Sequence, residues 1–129
     1  MTKIAFICVH NSCRSQIAEA LGKKIGKGIF ECYSAGTELK NSINSDAVRL
    51  MKELYNIDMN LSQKPKLIKD IPHCDIYISM GCNVQCPIIK GSVNYNWGLE
   101  DPTGKNDEEF IRIIKVIEDK VNKLIDSIN

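Results

Sequence analysis

The apolar positions of this chain change period several times, and each change marks an element. Ile4–Ile7 is an unbroken apolar run between Lys3 and Cys8, the pattern of a strand buried on both faces. Directly after it, Ile17, Ala18, Leu21 and Ile25 recur at helical spacing until Gly26 and Gly28 stop the helix. A short strand over residues 29–33, closed by Ser34, Ala35 and Gly36, completes a strand–helix–strand unit. Asn44 or Ser45 is placed to cap a second helix carrying Ala47, Val48, Met51, Leu54 and Tyr55. Residues 59–65 read as loop and 66–71 as a short third helix before Pro72. Residues 75–80 read as a buried strand ended by Gly81, and 92–97 as a more exposed, alternating strand. Asn106 and Glu109 spell a capping box. Beyond them Phe110, Ile113, Ile114, Ile117, Val121, Leu124, Ile125 and Ile128 form one apolar stripe of a long C-terminal helix. Strands alternating with helices predict a three-layer α/β/α fold on a four-stranded parallel sheet, with ligands bound at the carboxyl ends of the strands.

Composition narrows the class. A chain of 129 residues makes one domain, spanning 1–129, with no repeat or linker to divide it. A net charge of +1, with 26% charged residues spread evenly, offers no basic stripe for nucleic acid. The apolar stretch Ile4–Val9 is too short for a signal peptide or a membrane span, so a monomeric cytoplasmic protein is expected. In a reducing compartment the six cysteines read as catalytic, metal-binding or inert rather than as a disulfide framework.

The chemistry concentrates at Cys8–Ser15, where the first strand gives way to the first helix. The amides of Val9, His10, Asn11, Ser12 and Cys13, the helix start, Arg14 and Ser15 can together cradle a tetrahedral oxyanion. Asn11 suits a left-handed loop position. The same field favours the thiolate of Cys8, a nucleophile at the mouth of the cradle. Two further segments follow predicted strands: Gly81–Pro87, with Cys82 and Cys86, and Gly98–Gly104, with Asp101. Adjacent parallel strands would bring all three to one sheet edge, where Asp101 can act as general acid. Cys82 and Cys86 are four apart. A regular helix holds such Cβ atoms about 5–6 Å apart, wider than the roughly 3.5–4.5 Å a disulfide needs. With Gly81 before and Pro87 after, the pair reads as a dithiol whose oxidation changes the local fold.

These motifs, in this order, resemble the thioredoxin-coupled arsenate reductases, which share the low-molecular-weight protein tyrosine phosphatase fold. The resemblance rests on Cys8, Arg14, Ser15 and Gln16 with Ala18 and Glu19, on Tyr33–Gly36, on Met80–Cys82 with Cys86 and Pro87, and on Trp97, Gly98, Asp101, Pro102 and Gly104. Gln16 after Arg14-Ser15, where the phosphatases carry proline, and Thr103 after Pro102, where they carry an aromatic residue, favour the reductase. The resemblance implies attack of Cys8 on arsenate held by the loop and Arg14, with Asp101 protonating the departing oxygen. Cys82 then displaces arsenite, Cys86 resolves the Cys8–Cys82 disulfide, and thioredoxin reduces the Cys82–Cys86 disulfide. The spacing of Cys82 and Cys86 is tighter than in the best-known members. No organic cofactor is implied. Some members hold a potassium ion near positions resembling Asn11, Glu19 and Ser34, with an acidic residue from the loop before the third strand. Here that loop reads Ser62–Lys66 without an acid, which predicts no required metal, or a lysine in the cation's place.

The alternative activity is a low-molecular-weight tyrosine phosphatase, which needs only Cys8, Arg14 and Asp101. A thiol-based metalloid sensor without turnover is a third possibility. Of the remaining residues, Cys13 reads as a spectator in the loop, His10 as loop-shaping, and Cys32, Cys74 and Trp97 as packing residues.

Overall fold

The first strand, β1 (Thr2–Cys8), lies at the middle of a four-stranded sheet because both its faces are apolar. Ile4 and Phe6 are fully buried on one side, Ala5 and Ile7 on the other. The computed structural model describes residues 1–38, 40–81 and 89–128. The elements that follow are α1 (Arg14–Ile25), β2 (Phe30–Gly36), α2 (Ser45–Tyr55), α3 (Met59–Ser62), a 3-10 turn (Ile68–Asp70), β3 (Ile76–Ser79), β4 (Val93–Asn96) and α4 (Asp107–Ile128). Strand order is β2-β1-β3-β4, and every pairing is parallel. The predicted α/β fold on a four-stranded parallel sheet is the observed one.

The main core lies between one sheet face and the helices α1, α2 and α4. Ile4, Phe6 and Ile78 of the sheet meet Ile17, Leu21, Leu50, Met51, Phe110, Ile114 and Ile117 there. The α4 stripe fell where the sequence placed it. Phe110, Ile113, Ile114, Ile117, Val121 and Leu124 are buried, each stabilising by roughly 1.5–3 kcal/mol. Trp97 packs at the margin of this core, its ring 5.6 Å from that of Phe6. The other face carries a thinner layer, in which Ala5, Ile7, Ala35, Cys74 and Tyr77 are covered by Ile68, Ile71 and Ile89. No described helix is long and apolar enough to cross a membrane.

Several boundaries differ from the sequence reading, each for a physical reason. β2 runs through Ser34 and Ala35 to Gly36 rather than closing before them, because each residue finds a partner on β1, ending at Cys8 opposite Gly36. Residues 59–62 form a helical turn, since the Asp58 carboxylate accepts from the Asn60 amide and caps it. The expected third helix over 66–71 contracts to a single 3-10 turn. Asn44 caps α2 by accepting from the Ala47 amide, and Asn106 caps α4 by accepting from the Glu109 amide. The capping box is only half made, however: the Glu109 carboxylate turns to Arg112 at 2.9 Å.

Candidate active site

The site begins where β1 ends. Cys8 is buried, and the chain leaves it through Asn11, whose φ of +52° is the left-handed turn expected there. Helix α1 then starts at Arg14. No side chain caps it and no acidic residue occupies its first turn, which leaves its N-terminal field open to an anion.

Around the thiol, Ser15 Oγ lies 2.8 Å from Cys8 Sγ and the Asn11 amide donates to the sulfur at 3.2 Å. Asn11 Nδ2 also donates to Ser15 Oγ, so the serine's own proton is free to point at the sulfur. Two donors thus converge on Sγ. Asn11 is itself locked. Its Oδ1 accepts from Gln16 Nε2 at 3.0 Å and from the Lys66 amide at 2.9 Å, and its carbonyl accepts from the same Gln16 nitrogen. Gln63 Nε2 in turn donates to Gln16 Oε1 at 2.7 Å, and all three side chains are buried. Gly36 passes beneath this loop so closely that a Cβ there would lie 2.6 Å from the Val9 carbonyl oxygen and 2.9 Å from the Asn11 nitrogen. That contact gives the Tyr33–Gly36 motif its physical meaning.

Arg14 is aimed by its acceptors. Nη1 donates to the carbonyls of Met80, at 2.9 Å, and Leu99, at 2.6 Å, leaving Nε and Nη2 for a ligand. Met80 and Leu99 follow β3 and β4, so the guanidinium ties all three strand ends together. A cavity of about 290 Å³ opens over Cys8, lined by Val9, His10, Ser12, Cys13, Arg14, Lys40, Asp101 and Thr103. Cys8, the anion loop and Asp101 therefore meet at one sheet edge. His10 sits at the rim, paired with Glu38 at 3.1 Å. Cys82 and Cys86 lie outside the described residues. Gly81, immediately before Cys82, is described; its φ is +110°, and a Cβ there would lie 2.7 Å from the Leu99 carbonyl oxygen and 3.1 Å from Arg14 Nη1.

Burial, reinforced by neighbouring Asp101, pushes the Cys13 thiol up to about 12, and burial does the same to Cys32. Cys74 rises to about 11 for the same reason. These thiols stay protonated at neutral pH and are poor nucleophiles.

The potassium position that the resemblance implies does not fit these residues. Ser34 Oγ donates to Glu19 Oε1, Lys66 Nζ stands 3.3 Å from the same oxygen, and Lys23 Nζ holds Oε2. Glu19 is 3% exposed, and Asn11 Oδ1 is already filled by two donors. A metal ion would have to displace the Lys66 ammonium. The midpoint of thermal unfolding is thus expected to be equal in potassium and sodium buffers. Lys66→Met should lower it by about 5 °C, because the buried Glu19 carboxylate loses one of its two lysine partners. Lys66→Asp should make it rise with potassium. A potassium-dependent rise in the native protein would contradict the assignment.

Sequence reasoning missed Gln63, Lys40 and Thr103 as parts of the site. Their partners are distant in the chain or lie in turns without periodicity; the polar run Ser62–Lys66 and the residue after Pro102 were the only signals, and neither showed a contact.

The sequence and the fold resemble those of known proteins. The profile of the "Low molecular weight phosphotyrosine protein phosphatase" family matches residues 3–129. An arsenate reductase from Brevibacillus brevis is 36% identical over 96% of this chain and 94% of that protein. A solved arsenate reductase in the phosphate-binding state superposes with a TM-score of 0.88 at 33% identity, covering all of both chains. A thioredoxin-dependent arsenate reductase of Corynebacterium glutamicum superposes with a TM-score of 0.80 at 33% identity, covering 99% of this chain and 62% of that one. With the family profile matching residues 3–129 and arsenate reductases matching nearly its whole length, the chain belongs to the low molecular weight phosphotyrosine protein phosphatase family.

Proposed function

We propose that this protein is an enzyme that reduces arsenate to arsenite by a cysteine relay, with thioredoxin as reductant, in arsenic detoxification. It acts as a monomer of one domain, residues 1–129, in the cytoplasm. The observation that carries the reading is the cavity over Cys8. It offers a tetrahedral oxyanion Arg14, the open start of α1 and Lys40, and among the described residues no phenylalanine, tyrosine or tryptophan lines it for an aryl ester.

The anion is held by the amides of Val9–Cys13, by Arg14 and by Ser15, which also steadies the Cys8 thiolate. Sγ attacks arsenic, and Asp101 delivers a proton to the oxygen that leaves. Cys82 then attacks Sγ of the adduct. The S–As electron pair goes to arsenic, which departs as arsenite, and a Cys8–Cys82 disulfide remains. Cys86 attacks Cys82, frees Cys8, and leaves the Cys82–Cys86 disulfide for thioredoxin.

The test is arsenate-dependent NADPH consumption in the presence of thioredoxin and thioredoxin reductase. Sustained consumption supports the reductase. Hydrolysis of an aryl phosphate with no arsenate-dependent oxidation would move the protein to the phosphatases.

A further inference from the structure

The turn after β4 holds an interaction that the relay does not use. Asp101 Oδ1 accepts from both the Thr103 amide, at 3.0 Å, and the Thr103 hydroxyl, at 2.7 Å. Among the described residues no donor reaches Oδ2. Both side chains line the cavity with Cys8 and Arg14. Among the described residues, the charged and titratable groups around this carboxylate are Arg14 from the start of α1, Lys40 from the segment after β2 and the Cys13 thiol of the loop, with Cys8 and His10 lining the same cavity. Neighbouring Glu100 is turned to Arg112 of α4. Burial pushes the Asp101 carboxyl up. The two Thr103 bonds, with Arg14 and Lys40, outweigh it and hold the group below the usual carboxylate range. At neutral pH Asp101 of the free enzyme is ionised and has no proton to give.

We propose, building on the reductase reading, that Thr103 is a specificity-determining positioning residue: by holding Asp101 through Oδ1 it suits the site to an oxyanion that brings its own proton, arsenate, over a phosphate ester that brings none. Arsenate keeps its second proton up to near-neutral pH. As Cys8 thiolate forms the S–As bond, the Asp101 carboxylate can take a proton from one arsenic hydroxyl and pass it to the hydroxyl that leaves. The thiolate and dihydrogen arsenate monoanion thus give the dianionic S-arsenate adduct and water, with Asp101 returned to its starting state. An aryl phosphate dianion has no such proton. Where the leaving oxygen is too basic to depart as an anion, it can leave only if Asp101 starts protonated and ends ionised. The clamp therefore leaves the first reaction open and restrains the second.

The experiment compares the native protein with Thr103→Val, Thr103→Ala and Thr103→Ser. It measures kcat/KM for arsenate in the thioredoxin-coupled assay and for hydrolysis of phenyl phosphate, whose phenoxide is too basic to leave without a proton, across the pH range. Losing the hydroxyl should raise the Asp101 pKa and move the alkaline limb of ester hydrolysis up by about one pH unit. The ester-to-arsenate ratio at neutral pH should then rise about tenfold. Thr103→Ser should restore the native limb and ratio, and Thr103→Ala covers a valine variant that folds poorly. An unmoved limb in Thr103→Val and Thr103→Ala would overturn the proposal, as would a parallel fall in both activities or failure of serine to rescue. Failure of the native protein to oxidise NADPH with arsenate would sink the reductase reading instead, and the ester limb would still report on the clamp.

Discussion

Replacing Cys86 with serine is expected to leave an enzyme that releases about one arsenite per chain and then stops, even with thioredoxin and its reductase present. Cys8 and Cys82 suffice for the first displacement, so arsenite leaves and the electrons come from those two thiols. Without Cys86 nothing displaces Cys8 from the disulfide, and Cys8 is buried beneath the loop at 5% exposure, out of easy reach of another protein. Cys82→Ser should stop earlier, with no arsenite released in the burst, because no described thiol replaces it. Cys13 lines the same cavity but is held protonated. Rapid quench with arsenite detection, followed by mass analysis of the trapped chain, separates the two cases. Cys86→Ser should be two hydrogens lighter than its reduced form, and Cys82→Ser should not. Continued turnover in either variant would remove that cysteine from the relay.

The part of this site that was legible in the sequence is the part made by neighbours in the chain. Cys8, Asn11, Arg14 and Ser15 fall within one strand-to-helix turn, so the left-handed residue, the cradle and the helix start could be read from local rules. Asn44 and the α4 stripe were legible for the same reason. What escaped depends on contacts across the fold. Gln63 meets Gln16 over 47 positions, a distance at which no periodicity carries information, and the lysine beside Glu19, equally far along the chain, was reached only through the family resemblance. The small residues Ser34, Ala35 and Gly36 read as a turn by propensity but pair with β1 as strand, because tertiary pairing outweighs a weak local preference. Thr103 had signalled only a difference from the phosphatases. Its two bonds to Asp101 became visible once the turn had a shape.

Substituting lysine for Arg14 is expected to lower kcat/KM for arsenate about 10³-fold with the charge retained, because the guanidinium does two jobs at once. Nη1 spans the Met80 and Leu99 carbonyls, and this fixes the planar group at the cavity wall with Nε and Nη2 not engaged by those carbonyls. An ammonium group has neither the reach nor the fork. Bound to the two carbonyls, it cannot also grip the anion; bound to the anion, it leaves the Leu99 carbonyl without its donor and the Met80 carbonyl with the Leu99 amide alone. Removing one preorganised donor to a transition-state oxyanion costs about 10²–10³ in rate, and here the position of the others is lost with it. Because Met80 and Gly81 lead directly into Cys82, the damage should extend to the second displacement. Arsenite release per turnover should slow even at saturating arsenate, so that kcat falls as well as kcat/KM. A variant whose loss lay only in KM would show that Arg14 binds arsenate and does nothing to hold the strand ends in register. The folded state should survive, since the main core of Phe6, Ile17, Phe110 and Ile114 lies away from the guanidinium, and an unfolding midpoint within a few degrees of native would confirm that the lost rate is chemistry.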